Sequence, residues 1–143
     1  MIEDKELYAK AKKAAINAYA PYSHFKVGAA LLCDSGNIYT GVNIENSSYG
    51  ATICAERSAL NAAVGAGEKK FIKIAVASSQ GEAWPCGICR QVLLEFSDKN
   101  NPMKIITGTD ENSLEIYDIE KLLFKGLDWR KDENGFYWYC GKT

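Results

Sequence analysis

The sequence predicts an α/β protein, a three-layer α/β/α sandwich around one mixed sheet of about five strands. Three observations lead there. Stretches with apolar residues at helical spacing alternate along the chain with short, continuous apolar runs. Turn clusters, Asp34-Ser35-Gly36-Asn37 and Gly108-Thr109-Asp110, separate those runs. The chain has 143 residues, 47% of them apolar and 24% charged, which suits one domain able to bury a core. Residues 1–143 are therefore expected to form a single domain.

Residues 3 to about 19 read as an amphipathic helix, with Leu7, Ala11, Ala14, Ala15 and Ala18 recurring against lysines and acids until Pro21 stops it. Residues 26–33 read as a strand, 34–37 as a hairpin turn and 38–42 as the partner strand. Asn43 to Gly50 is an irregular polar loop at a sheet edge, a place where binding groups collect. The next helix runs from about Cys54 to Val64. Its small residues (Ala55, Ala59, Ala62, Ala63) permit close approach, and Gly65 and Gly67 close it. A strand at 71–77, a helix at 86–96 with Val92, Leu93 and Phe96 inward, and strands at 103–107 and 114–117 follow. The tail concentrates aromatics at Trp129 and Phe136-Tyr137-Trp138-Tyr139. Core or interface is the first reading of that density, and a lid over a site is the other.

A net charge of −1 without a basic stripe argues against a nucleic-acid partner. The start, Met1-Ile2-Glu3-Asp4-Lys5, lacks the apolar region of a signal peptide. No apolar run approaches the roughly 18 residues of a membrane span. A cytoplasmic protein with no membrane partner is expected. Five cysteines, an odd number with two in a C-x-x-C, suit metal or redox chemistry better than a disulfide framework. Cys33 reads as a small buried hydrophobe and Cys140 as a free surface thiol.

The chemistry concentrates in Trp84-Pro85-Cys86-Gly87-Ile88-Cys89-Arg90-Gln91 and in Cys54-Ala55-Glu56-Arg57. Proline suits the first position of a helix, so Cys86 and Cys89 project together from its first turn. The positive end of the helix dipole favours thiolate there. With Cys54 as third ligand, the set is that of a tetrahedral zinc site with one position left for water. Glu56 follows Cys54 by two residues, about 200° around a regular helix. Both serve one site only if Cys54 sits at or just before the first turn. Arg57, three residues on, lies beside the Cys54 thiolate and offsets part of the net −1 of zinc with three thiolates. Zinc lowers the pKa of bound water towards about 7, and Glu56 is the candidate proton shuttle. The rival readings are a structural zinc knuckle, its fourth ligand drawn from Cys33, Cys140, His24 or an acid, and a thioredoxin-like redox pair. His24, the only histidine, reads as an ordinary turn residue.

These motifs, together with Pro21-Tyr22-Ser23, Phe25, Val27-Gly28-Ala29-Ala30-Leu31, Gly41-Val42-Asn43-Ile44-Glu45-Asn46 and Tyr49, make the chain resemble the cytidine deaminase family in its short, three-cysteine form. The resemblance implies the cytidine deaminase-like sandwich, one Zn²⁺ per subunit on Cys54, Cys86 and Cys89, and Glu56 as catalytic residue. It implies Phe25 stacking on the pyrimidine, Asn43 and Glu45 binding the ribose 3′-hydroxyl, and the Ala55 backbone reading the base with Glu56. It further implies a homotetramer in which Tyr49 completes a neighbour's site. The implied reaction is deamination of a small nucleoside, cytidine or 2′-deoxycytidine, in pyrimidine salvage. The chain departs from the family after residue 120. Leu122-Leu123-Phe124-Lys125-Gly126-Leu127 lacks the usual proline, and Leu127 stands where an aromatic is expected, with Trp129 as candidate replacement. The alternatives are a deaminase of another aminopyrimidine nucleoside such as blasticidin S, a non-catalytic zinc-stabilised binding module, and an editor of bases within RNA or DNA.

Overall fold

Five strands, β1 (Gly28–Cys33), β2 (Ile38–Val42), β3 (Phe71–Ala77), β4 (Lys104–Gly108) and β5 (Leu114–Asp118), form one sheet in the order β2-β1-β3-β4-β5. Only the β3–β4 pair is parallel, which makes the sheet mixed. A parallel pair needs a crossover, and α3 (Gly87–Glu95) lies within it. The other helices are α1 (Asp4–Ala14), α2 (Ala55–Gly65) and the short α4 (Ile119–Leu122). This computed structural model describes residues 1–127 and the backbone of strands β6 (Trp129–Lys131) and β7 (Tyr137–Tyr139).

The interior strand β1 is buried along its whole length, and its pleat divides it between two cores. Ala29, Leu31 and Cys33 join Ala55, Ala59 and Leu60 of α2 and Leu93 of α3. Ala30 and Leu32 join Leu7, Tyr8 and Ala11 of α1 on the other face. The three expected layers are therefore present, and burial on both faces explains why β1 reads as a continuous apolar run.

Two glycines set how closely the layers approach. A Cβ on Gly28 would lie 2.0 Å from the Ala11 carbonyl oxygen of α1. One on Gly41 would lie 2.3 Å from the backbone nitrogen of Ala59 in α2. Both neighbours are backbone and cannot swing aside. Gly28→Ala is expected to destabilise the protein by about 3 kcal/mol, read by chemical denaturation.

Several boundaries differ from those expected. The first helix does not reach residue 19: α1 ends at Ala14, a 3₁₀ turn covers Ala15–Asn17, and the chain then extends. The reason is pairing with the polar loop. The Tyr19 N–H donates to the Asn43 carbonyl at 3.0 Å, and the Glu45 N–H donates to the Tyr19 carbonyl at 2.9 Å. The first strand starts at Gly28 instead of residue 26, because the N–H groups of Lys26 and Val27 are taken by the side chains of Gln80 and Asn43, both at 2.8 Å. The α2 helix ends as expected at its glycines. Gly67, at φ +95, and Glu68 return their N–H groups to the carbonyls of Val64 and Ala63. In the tail, β6 and β7 pair as an antiparallel hairpin where no strand was expected. The side chain of Trp129, residues 132–136 and Cys140 lie outside the described residues. Among the described residues no helix is long and apolar enough to cross a membrane.

Candidate metal centre and the cleft above it

Cys54 and Cys86 are the N-caps of α2 and α3, both with extended backbone (φ −78, ψ 159 and φ −69, ψ 171). That is the placement the sequence requires for Cys54 and Glu56 to serve one site. Cys89 comes from the first turn of α3 and is fully buried. The three sulfurs lie within 4.8 Å of one another, and those of Cys54 and Cys86 are 3.7 Å apart. A tetrahedral zinc with Zn–S bonds of about 2.3 Å wants sulfurs about 3.8 Å apart, so the donor set fits the ion.

Among the described residues no fourth histidine, cysteine or acid joins the cluster. Two of the candidates for a structural fourth ligand sit elsewhere. Cys33 belongs to the sheet core, where burial pushes its thiol up to about 11. His24 occupies a turn at φ +58.

Arg57 stands where the sequence puts it, its Nη2 donating to the Cys54 sulfur at 3.5 Å. The hydrogen bond to Cys54 leads the causes that raise the guanidinium's pKa, with Cys89 contributing further. Its Nε is buried with no acceptor, an unpaired donor beside the sulfurs. In the metal-free chain the sulfurs share protons unevenly. The hydrogen bond from Cys89, with help from Arg57 and Cys86, pulls Cys54 down to about 5. Cys89 moves upward, because it donates that bond and is buried. A divalent ion must displace such protons, so metal affinity falls as pH falls. Arg57→Ala is expected to retain zinc while lowering kcat about tenfold, since it removes a partner of the ligand and not a ligand. Metal analysis beside steady-state kinetics checks this.

Glu56 is 3% exposed, and desolvation raises its pKa to about 7. It opens on a cleft of about 290 Å³ lined also by Phe25, Asn43, Glu45, Cys54, Ala55 and Cys86. The folded chain thus brings all but one of the expected substrate-binding residues to the sulfurs. Tyr49 is the exception. It is 79% exposed, edge-on to Tyr22 at 6.2 Å, in a neighbouring depression bordered by Glu45.

The roles of Asn43 and Glu45 within the chain are mainly to shape the cleft. The Asn43 amide accepts from the Val27 N–H and donates to the Phe25 carbonyl, both at 2.8 Å. Glu45 accepts from the N–H groups of Tyr22 at 2.9 Å and Ser23 at 3.1 Å. Hydrogen bonds from the Ser23 side chain and backbone lead the causes holding its carboxyl below the usual range. Gln80 braces the turn from the other side, donating to the His24 carbonyl and accepting from Lys26. Phe25 is consequently fixed through its own backbone and both neighbours.

Sequence reasoning misses Gln80, Glu82 and Ala83, which carry no motif. It gives Trp84 no role, although adjacency to Pro85-Cys86 is a usable signal. Glu82, Ala83 and Trp84 all line the cleft. Arg90, also unassigned, binds the Pro85 carbonyl at 2.7 Å and the Leu122 carbonyl at 2.9 Å, tying the metal loop to α4.

Three sulfurs would hold zinc and leave one of its four usual positions for water, and a buried carboxyl, Glu56, lines the same cleft as two of them. The class is that of zinc-dependent hydrolytic enzymes. Comparison with known proteins narrows it. Residues 1–105 match the family model of the cytidine and deoxycytidylate deaminase zinc-binding region, and the chain belongs to that family. A cytidine deaminase from Sporosarcina psychrophila is 47% identical over 120 residues, covering 83% of this chain and 87% of the relative. The crystal structure of cytidine deaminase from Burkholderia pseudomallei superposes with a TM-score of 0.79 at 39% identity, over 87% of this chain and 99% of that one. That of cytidine deaminase from Mycobacterium tuberculosis gives 0.75 at 35% identity, over 88% and 98%. The non-catalytic binding module is thereby set aside: the protein is a zinc-dependent enzyme.

Proposed function

We propose that the protein hydrolyses cytidine and 2′-deoxycytidine to uridine and 2′-deoxyuridine, releasing ammonia, in cytoplasmic pyrimidine salvage. The observation that carries this is one cleft holding two helix-cap cysteines of a three-sulfur cluster, a buried carboxyl and a braced aromatic ring. In this reading residues 1–143 act as a single catalytic domain of a homotetramer. The exposed Tyr49–Tyr22 pair supports giving Tyr49 to a neighbour's site.

When bound, zinc supplies the Lewis acidity that makes water nucleophilic at neutral pH. The chain's own residues do the rest. Phe25 stacks on the base, and the Ala55 backbone with Glu56 reads its edge. A C4–oxygen bond forms and the C4–nitrogen bond breaks. Glu56 carries a proton from water to ring N3 and then a second to the departing amine. Burial raises this carboxyl in the metal-free chain, which suits a group that must donate as well as accept a proton, and a nearby cation would favour the ionised form from which the cycle starts. Asn43, with one amide N–H left after its two backbone bonds, and Glu45 hold the ribose.

Nucleosides are favoured over 5′-phosphates by the lining, which among the described residues has three carboxyls (Glu45, Glu56, Glu82) and neither lysine nor arginine. Cations that would bind the backbone of RNA or DNA are missing from it for the same reason. The ultraviolet absorbance change with cytidine, 2′-deoxycytidine and cytidine monophosphate tests the proposal. Turnover of the two nucleosides is expected, and none by zinc-loaded protein would refute it. One observation favours a second reading, an aminopyrimidine nucleoside with a cationic substituent such as blasticidin S: Glu82 sits at the cleft with no hydrogen-bond or ion-pair partner among the described residues. Faster turnover of that compound than of cytidine would install it.

A further inference from the structure

Trp84 is held on every side that could fix it. The carbonyl of Ala83 before it accepts the buried Thr107 hydroxyl, and the carbonyl of Pro85 after it accepts Arg90 Nε at 2.7 Å. Its ring leans on Tyr117 of β5, with centroids 5.5 Å apart and planes tilted by 46°. Its neighbours Ala83 and Pro85 are buried, yet Trp84 keeps 36% of its surface exposed. A ring that served only the core would go under with them.

Trp84 lines the cleft, and Phe25 is the other aromatic residue of that lining. One segment connects them: a Cβ on Gly81 would come within 4.0 Å of the Phe25 ring, Ala83 and Trp84 follow, and Cys86 comes two residues later. The indole N–H has no acceptor among the described residues, so it too is available to a ligand. Rigid aromatic surface held ready at a cleft is what a flat heteroaromatic ligand binds best, because little side-chain freedom is lost on contact.

We propose that Trp84 is a second aromatic contact for the bound nucleoside and, with Phe25, sets its affinity. This rests on the nucleoside reading above and deepens it. Stacking of this kind changes affinity by about tenfold or more per contact. Trp84 stands outside the proton transfers, so its effect belongs to KM and not to kcat.

The test compares wild type, Trp84→Ala and Trp84→Phe, each assayed for zinc, oligomeric mass and cytidine kinetics. Trp84→Ala is expected to keep zinc and kcat while KM rises about tenfold, and Trp84→Phe to restore most of the affinity. Fluorescence gives a readout independent of turnover. Of the three tryptophans, Trp84 is expected to report product, so uridine should change wild-type emission and leave Trp84→Phe unaffected. An unchanged KM in Trp84→Ala overturns the proposal. So does loss of zinc or kcat at constant KM, which would make Trp84 a support for Cys86. Dissociation of the assembly with KM intact, or an equal uridine response in Trp84→Phe, overturns it as well. If Trp84→Ala does not fold, Trp84→Phe and its fluorescence still decide. Absence of wild-type turnover alongside a uridine response lost in Trp84→Phe would sink the reaction assigned above and leave this contact standing.

Discussion

Glu56→Gln is expected to lower kcat by about 10²- to 10⁴-fold while zinc stays bound and KM changes little. Gln fills nearly the same volume in a site that is 3% exposed, so packing survives. What disappears is the group proposed to move protons between water, N3 and the leaving amine. The same substitution should alter stability in the opposite sense. The Glu56 pKa rises from 4.5 to about 7 on burial in the metal-free chain. Its contribution is therefore fully present below pH 4.5 and is lost as pH rises through 7, since folding then keeps a charge out of water. A shift of that size corresponds to about 3 kcal/mol. Metal-free Glu56→Gln should thus be more stable than metal-free wild type at pH 8, and the advantage should vanish at pH 4. Denaturant melts of both proteins, stripped of zinc, at the two pH values check it. Equal stability at pH 8 would show that burial does not govern this carboxyl.

Cys89→Ala is expected to abolish zinc binding at micromolar metal and with it all measurable turnover. The thiol is fully buried, no other histidine, cysteine or acid among the described residues joins the cluster, and Cys54 and Cys86 alone complete half a tetrahedron. The chain should nevertheless stay folded, because both hydrophobic cores are built from apolar side chains of the sheet and helices and include none of the three ligand cysteines. The loss of stability should match the mass-action contribution of bound metal, about 4 kcal/mol at a thousand times its Kd. In wild type, zinc release should accelerate as pH falls, because protons compete for the sulfurs. Metal analysis after dialysis at graded pH reads both effects. Zinc retained by Cys89→Ala would remove this cysteine from the ligand set.

Much of the metal centre is legible in the sequence alone. Cys54, Cys86 and Cys89 carry their meaning in local spacing, since Pro85 favours a helix start at the C-x-x-C and a three-residue spacing puts Cys86 and Cys89 on one face. The condition that Cys54 precede the first turn follows from helix geometry alone, and its N-cap conformation satisfies it. Phe25, Asn43 and Glu45 are assigned through resemblance, with no local rule of their own. Their bonds to one another show why: Asn43 matters to Phe25 through a carbonyl eighteen residues earlier in sequence. The overlong first helix fails for a related reason. Periodicity continues through Ala18, but the backbone at Tyr19 is claimed by Asn43 and Glu45, and long-range pairing outweighs weak local propensity.

By itself, then, the order of residues pointed to the cysteines that cluster, the proposed proton carrier, the helix–strand alternation and the family. Each depends on neighbours within a turn or two, or on composition. Only the tertiary structure decided that Gln80 braces the turn before β1, that Gly28 and Gly41 admit the helices, that Tyr49 stands off the cleft, and that Trp84 joins its lining. Those outcomes depend on which distant backbone groups and ring faces meet when the sheet closes, and a one-dimensional pattern holds no term for such meetings.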